Sequence, residues 1–555
     1  MKKIVWLICL FSLTQSAHTQ TLSKNNQPAL TTSGISRPKL MVGIVIDQMR
    51  WDYLYRFYPL FKNDGGFKRF LNSGFSCENT FIPYTPTVTA AGHTCVYTGS
   101  VPAIHGIMGN EWYDRLQHTT MYCSEDNSVH TVGSNDDLGK MSPRNLLTTT
   151  IGDELKLATN FKSKVIGVAI KDRGAILPAG HAADAAYWYD NKTGDFITST
   201  YYTQQLPQWV LAFNSRKVVD SLYKLNWNTL LSKETYLQYS TADEEPYENK
   251  PLGNEQKAFP YNLASFVGKD YGKIASTPYG NSLTAAIAEA AVIGESLGKS
   301  DAQTDFLTVS FSAPDYIGHA FGPNSWEQMD DYVRLDAVLG NFFTFLDAQV
   351  GKGNYTVFLT ADHAVAHVPN FSVEHKLPGG AFKGAAIMNN LKTLLKDKYN
   401  TDKLIVADEN YQIYLDNNLI DSAHFNKKEI SNFIVDYLLK QNGVTDAFTL
   451  NDLMTIPLNS KQRDMFANGY MPTRSGDIQM VLKPGYVSGN GNGTSHGLWN
   501  PYDSHIPLLW YGWGITKGKT NRETYMTDIA ATTAALLHIQ MPSGCVGKVI
   551  EEVMK

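Results

Sequence analysis

The chain has 555 residues, of which 43% are hydrophobic and 18% charged, with a formal net charge of -5 at pH 7. This length excludes a single small core and suits two or three structural units. The mild acidity leaves no basic field to hold nucleic acid, which excludes a nucleic-acid partner.

At the N-terminus, Lys2 and Lys3 precede an apolar run from Ile4 to Leu13, and Ser16-Ala17-His18-Thr19-Gln20 follow. This is the order of a secretory signal, expected over residues 1–20. The run is too short to span a bilayer. Cys9 within it lacks the small preceding residue that a lipoprotein signal requires. The expectation is therefore a periplasmic or secreted protein without a membrane anchor. Cys77, Cys95, Cys123 and Cys545 remain after cleavage, and their pairing is left open. No C-x-x-C pair suggests a thiolate metal site.

Residues 21–38 read as a polar leader. From residue 39 a motif recurs, in which a short apolar, β-branched run ends in a polar residue able to do chemistry. Met41–Ile46 ends in Asp47, and Lys164–Ile170 ends in Lys171. Phe306–Phe311 leads to Asp315, and Tyr355–Thr360 leads to Asp362 and His363. Uninterrupted apolar runs of this length predict strands buried on both faces, hence a parallel sheet. Helical patterns over Ser142–Leu157, Ser282–Leu297 and Asp330–Leu346 separate them. The predicted fold is α/β, a mostly parallel central sheet with helices on both faces. An active site is expected beyond the carboxyl ends of its strands. Residues 181–281 and 381–477 interrupt the alternation and are read as insertions capping that edge. The second holds short elements at Ile405–Asp408, Gln412–Leu415 and Lys428–Leu439. The catalytic domain is expected over 39–540, with a tail over 541–555.

The polar residues at the strand ends form a candidate metal-ligand set. Asp315 and His319 lie one helical turn apart and share a face. Asp362 and His363 can serve one cluster if their strand ends before them. Asp47 ends the first run, and His496 sits in the loop Gly493-Thr494-Ser495-His496-Gly497 before the apolar run Ile506–Trp510. Oxygen and nitrogen donors without sulfur fit catalytic zinc. Thr89, in Pro86–His93, precedes a helical pattern, where backbone N–H groups favour phosphate. Read alone, it is more simply an ordinary helix cap.

Taken in order, Ile46-Asp47-Gln48, Pro86–His93, His105–Asn110, Lys171-Asp172-Arg173, Asp315-x-x-x-His319, Thr360–His363 and Ser495-His496-Gly497 resemble the alkaline phosphatase superfamily. Within it they resemble the phosphate-irrepressible alkaline phosphatases of the PafA type, relatives of the type I phosphodiesterases and nucleotide pyrophosphatases. The motifs cover about residues 40 to 510. The resemblance implies two Zn²⁺ ions, one held by Asp315, His319 and His496, the other by Asp47, Asp362, His363 and the Thr89 oxygen. It implies that Thr89 attacks phosphorus and forms a phosphothreonine, and that Asn110, Lys171 and Arg173 contact the phosphoryl group. Lys171 and Arg173, two apart on an extended strand end, are expected to point the same way. The implied activity is hydrolysis of small-molecule phosphate monoesters to an alcohol and inorganic phosphate, by a monomer. A phosphodiesterase of the same superfamily is the nearest rival; the Lys-x-Arg pair argues for monoesters. A sulfatase would need a C/S-x-P-x-R motif, which no cysteine here provides. A non-catalytic metal-stabilised binding protein would require a missing ligand or nucleophile. His93, His105 and His367 lie near the motifs without an assigned role.

Overall fold

The computed structural model describes residues 35–301 and 303–554; the expected signal and most of the leader lie outside them. The elements belong to one compact unit beginning at Arg37. Its centre is an eleven-stranded mixed sheet. The main strands, in chain order, are β1 (Leu40–Ile46), β2 (Phe75–Phe81), β3 (Val165–Ala169), β4 (Ala185–Asp190), β5 (Asp195–Ser199), β6 (Asp305–Phe311) and β7 (Tyr355–Thr360).

Four of them are the apolar runs seen in the sequence, and β1, β3, β6 and β7 are buried at every residue. β1 lies in the middle, parallel to β6 on one side and β7 on the other. With partners on both edges and helices packed around the sheet, such a strand has no face left for polar side chains. Register sets the site. Ile46 pairs with Phe311, Val45 with Thr360, and Ala169 with Ser310, so the carboxyl ends of four strands stand level.

Helix bounds follow capping chemistry more than apolar period. The pattern over Ser142–Leu157 becomes a helix only at Ile151–Ala158, because Thr150 and Asp153 form a reciprocal capping box that fixes its start. The pattern over Asp330–Leu346 begins earlier, at Trp326, where Ser325 accepts a hydrogen bond from the Gln328 N–H.

The first interrupting stretch contributes β4, parallel to β3, and β5, antiparallel to β4, and so extends the main sheet. Its later part reaches the site's rim. There the Asn249 N–H donates to the Ala320 carbonyl, and Tyr247 accepts from the Gly493 N–H, each at 2.8 Å.

The second stretch and the strand just after it form a cap with its own antiparallel sheet: β8 (Ile405–Glu409), β9 (Gln412–Leu415), β10 (Val444–Thr449) and β11 (Ile478–Leu482), in the order β8-β9-β11-β10. Leu391, Leu395, Ile413, Ile434 and Ile478 fill a core separate from that of the main sheet. Helices Gly384–Tyr399 and Lys427–Leu438 supply Met388, Leu391, Leu395, Ile430, Ile434 and Leu438 to it.

The chain then returns as β12 (His505–Gly512), antiparallel to both β7 and β2. Residues beyond 541 pack back on the body. The Val546 N–H donates to the Gly99 carbonyl, and Ile550 and Val553 are fully buried. Cys77, Cys95, Cys123 and Cys545 are all unpaired.

Candidate active site

Each strand end delivers its residue for a local reason. β1 stops at Ile46, and Asp47 follows at once. β6 leads through Ser312 into helix Ala313–Phe321, which starts at a proline and carries Asp315 and His319 on successive turns. β7 ends at Thr360, so Asp362 and His363 are freed from strand alternation and both turn into one cluster. The loop before β12 brings His496.

Seven sequence-derived residues converge. His319 Nε2 lies 3.1 Å from an Asp315 oxygen and 3.3 Å from His496 Nε2. His363 Nε2 is 3.5 Å from Asp47, 3.4 Å from Asp362 and 3.4 Å from the Thr89 hydroxyl. The His363 and His496 rings stack at 3.5 Å, which joins the two halves into one cluster.

The hydrogen bonds on the far side of each ring fix its chemistry. His319 Nδ1 meets the Thr494 carbonyl at 2.7 Å, His496 Nδ1 the Thr87 carbonyl at 2.7 Å, and His363 Nδ1 the Ala364 carbonyl at 3.1 Å. A carbonyl only accepts, so each Nδ1 carries the proton and each Nε2 turns a bare lone pair inward. Two lone pairs 3.3 Å apart, with Asp47 Oδ1 buried without a donor, form a set of acceptors that suits a cation. The residues therefore fit divalent metal ions bound by oxygen and nitrogen.

The electrostatics agree. Burial, then repulsion by Asp315 and Asp362, pushes the Asp47 carboxyl well above its ordinary range. Burial also opposes ionisation of Asp315, but the adjacent His319 and Lys171 outweigh it and hold that carboxyl low.

Thr89 is the first residue of helix Thr89–Thr98 and is 1% exposed. The next residue, Ala90, donates its N–H to Asn110 Oδ1 at 3.0 Å, which leaves the Asn110 amide nitrogen as a free donor beside Thr89. Lys171 Nζ bonds Asp47 at 2.7 Å and Asp315 at 2.5 Å, inside the carboxylate cluster.

The expected shared strand end for Lys171 and Arg173 is corrected. β3 stops at Ala169, and Lys171 is the extended N-cap of helix Asp172–Ala179, whose first turn holds Arg173. A helix cap, not strand alternation, therefore sets the directions of the two side chains. Arg173 is oriented instead by Tyr122, whose hydroxyl it reaches at 3.0 Å and which in turn donates to Asp172 at 2.6 Å.

Three residues without a sequence-derived role support the cluster. Gln48 donates its backbone N–H to Asp362 at 3.1 Å and its side-chain amide to Asp315 at 2.6 Å, from a left-handed backbone with φ of 68°. His93 Nδ1 lies 3.2 Å from Asp362 and its Nε2 2.7 Å from Ser310. Tyr122 is the third. Gln48 and His93 sit within quoted motifs, and that adjacency was their signal; nothing in the sequence marks Tyr122.

Residues 41–505 match the family model described as type I phosphodiesterase / nucleotide pyrophosphatase. Over 549 residues the chain is 50% identical to alkaline phosphatase PhoV of Synechococcus elongatus, covering 97% of each chain. It is 48% identical to a Myroides odoratus protein named calcium-transporting ATPase, covering 95% of this chain and 96% of that one. It is 47% identical to alkaline phosphatase PafA of Elizabethkingia meningoseptica, again covering 95% and 96%. The crystal structure of wild-type PafA superposes with a TM-score of 0.92, covering 94% of this chain and all of that one. Among the described residues no helix is long and apolar enough to cross a membrane. The chain belongs to the type I phosphodiesterase / nucleotide pyrophosphatase family and, within it, to the alkaline phosphatases.

Proposed function

We propose that this alkaline phosphatase hydrolyses phosphate monoesters by double displacement, with Thr89 as nucleophile and two zinc ions as cofactors. The observation that carries the reading is the Thr89 hydroxyl placed 3.4 Å from His363 Nε2, at the edge of a buried cluster of carboxylates and imidazoles. Asp315, His319 and His496 would hold one ion, and Asp47, Asp362, His363 and the Thr89 oxygen the other. Bound there, zinc supplies Lewis acidity, lowering the proton affinity of a nearby hydroxyl and offsetting charge on ester oxygens.

Thr89 Oγ1 bonds to phosphorus as the ester P–O bond breaks and the alcohol departs with a proton. Water then attacks the phosphothreonine, restores the hydroxyl and releases inorganic phosphate. The Asn110 amide donates to a phosphoryl oxygen. With its carboxylate partners neutralised, the Lys171 ammonium is available to a second oxygen. Arg173, aimed by Tyr122, grips the rest of the dianion. These cationic groups favour a monoester over a singly charged diester. The enzyme acts as a monomer in the periplasm or outside the cell after loss of residues 1–20. Its catalytic domain spans 39–540, and 181–281 and 381–477 shape access to the site.

The test compares kcat/KM for 4-nitrophenyl phosphate with that for its methyl diester in zinc-loaded protein. Monoester preference that shrinks in Lys171→Ala/Arg173→Ala supports the reading. A diester preference indifferent to that change moves the enzyme to the diesterases, and an active Thr89→Ala removes the nucleophile.

A further inference from the structure

The β8–β9 hairpin of the cap turns on Asn410 and Tyr411, with φ values of 56° and 60°. Glu409 pairs directly with Gln412, so the loop is two residues long. Such a turn ordinarily takes Asn-Gly, because both residues need positive φ. A tyrosine in the second place is a backbone outlier, of a kind that persists where its surroundings hold it and that gathers at ligand sites. The surroundings do hold it. Asn410 Nδ2 donates to the Glu111 carbonyl at 2.9 Å, and the Met480 N–H donates to the Tyr411 carbonyl at 2.9 Å.

The tip is wedged against the catalytic loops. A Cβ on Gly109, beside Asn110, would stand 2.5 Å from the Asn410 side chain. A Cβ on Gly497, beside His496, would stand 3.5 Å from the Tyr411 ring and 3.6 Å from Val88, the residue before Thr89. Next to this contact lies a cavity of about 360 Å³, walled by Phe382, Met388, Tyr411, Ile413 and Met480, with Asp408 and His496 also in its lining. Its size falls in the range of about 300–1,000 Å³ typical of small-molecule sites. Among the described residues no lysine or arginine lines it.

We propose that this cavity receives the organic group of the ester, that it selects a flat apolar ring of aryl size, and that Tyr411 is the residue that sets this specificity. The inference rests on the phosphatase reading above. An attack by Thr89 expels the leaving oxygen on the side opposite its hydroxyl, toward Asp315, His319 and His496, and His496 belongs both to that group and to the cavity. A ring leaving past His496 enters apolar walls. A leaving group bearing further phosphates finds no countercharge there.

The test uses ethyl phosphate and 2-phenylethyl phosphate, whose alcohols are of similar basicity, so their kcat/KM ratio reports contact with the organic group. Reading the ratio within each protein cancels any change in active fraction. The zinc-loaded enzyme should prefer the phenylethyl ester by on the order of tenfold or more, as burial of a ring predicts. Tyr411→Ala should bring the ratio close to one. So should Ala385→Trp, which fills the cavity from its exposed side and removes no core atoms. Turnover of both esters with a ratio near one in the wild type, or a ratio kept in both variants, overturns the subsite and leaves the phosphatase reading standing. Turnover of neither ester overturns both.

Discussion

At the edge of the main sheet, Asp47, Asp315 and Asp362 follow strands buried without interruption, whereas at the tip of the cap Asn410 and Tyr411 stand on a two-residue turn of a small sheet with its own core. The first region obtains its precision from register: level strand ends place donors that are many residues apart within 4.8 Å of one another. The second obtains it from contact, by pressing a hairpin onto finished loops. In the proposed mechanism the sheet edge governs whether phosphorus is attacked, and in the proposed subsite the cap governs what is attached to it.

Substitutions at the sheet edge should act on every substrate alike. The largest effect is expected for Thr89→Ala, with kcat for 4-nitrophenyl phosphate lower by about 10³-fold or more and no stable phosphoenzyme on denaturing gels after acid quench. Chelation of divalent ions should match that loss, lower Tm, and be reversed by zinc. A Thr89→Ala enzyme within tenfold of wild type would break the comparison at its root. Next comes Lys171→Ala/Arg173→Ala, which should cost about 10²-fold or more in monoester kcat/KM and much less for the methyl diester.

A smaller effect belongs to Gln48, which links the two carboxylates by one backbone and one side-chain donor. Gln48→Gly keeps the positive φ and loses only the amide. It should weaken zinc binding by roughly 10- to 100-fold in a competition titration while leaving the phenylethyl-to-ethyl ratio unchanged. A change in that ratio would show that the two regions are not separable.

The smallest effect at neutral pH concerns the seam between them. His105 is fully buried, and burial first, then the neighbouring Arg474 of the cap side, depresses its pKa from 6.5 to about 3. The folded protein thus holds fewer protons than the unfolded chain between those values. The shift costs nothing above pH 6.5 and destabilises the fold increasingly as pH falls toward 3, at up to roughly 1.4 kcal/mol per unit. Urea melts from pH 7 to 4 should show a shallower decline in His105→Gln.

Legibility in the sequence followed the same division. β1, β6 and β7 were visible because strands buried on both faces leave no polar interruption, and the residues ending them were visible because nothing else explains a charge there. β9, Gln412–Leu415, matched its expected span to the residue. The turn joining β8 to β9 carries no glycine, so its role at the site could not be read. The helix at Ile151 was misjudged in extent because a capping box decides a start that apolar spacing leaves open. Lys171 and Arg173 were expected along one strand, but β3 stops at Ala169 and a helix cap sets their directions. Tyr122 acts through Arg173 across 51 residues, a relation no local pattern encodes.

The central strand β1 has its neighbours at residues 305–311 and 355–360, and the metal cluster closes only with His496 and the pairing of β12 to β2. A ribosome making this chain therefore exposes a buried strand several hundred residues before its partners exist, since non-local parallel pairing has no early foothold. A chain that ends before His496 would lack one ligand of the proposed zinc site. Under the proposed mechanism, the order of translation would keep the catalyst silent until nearly all of it has been made.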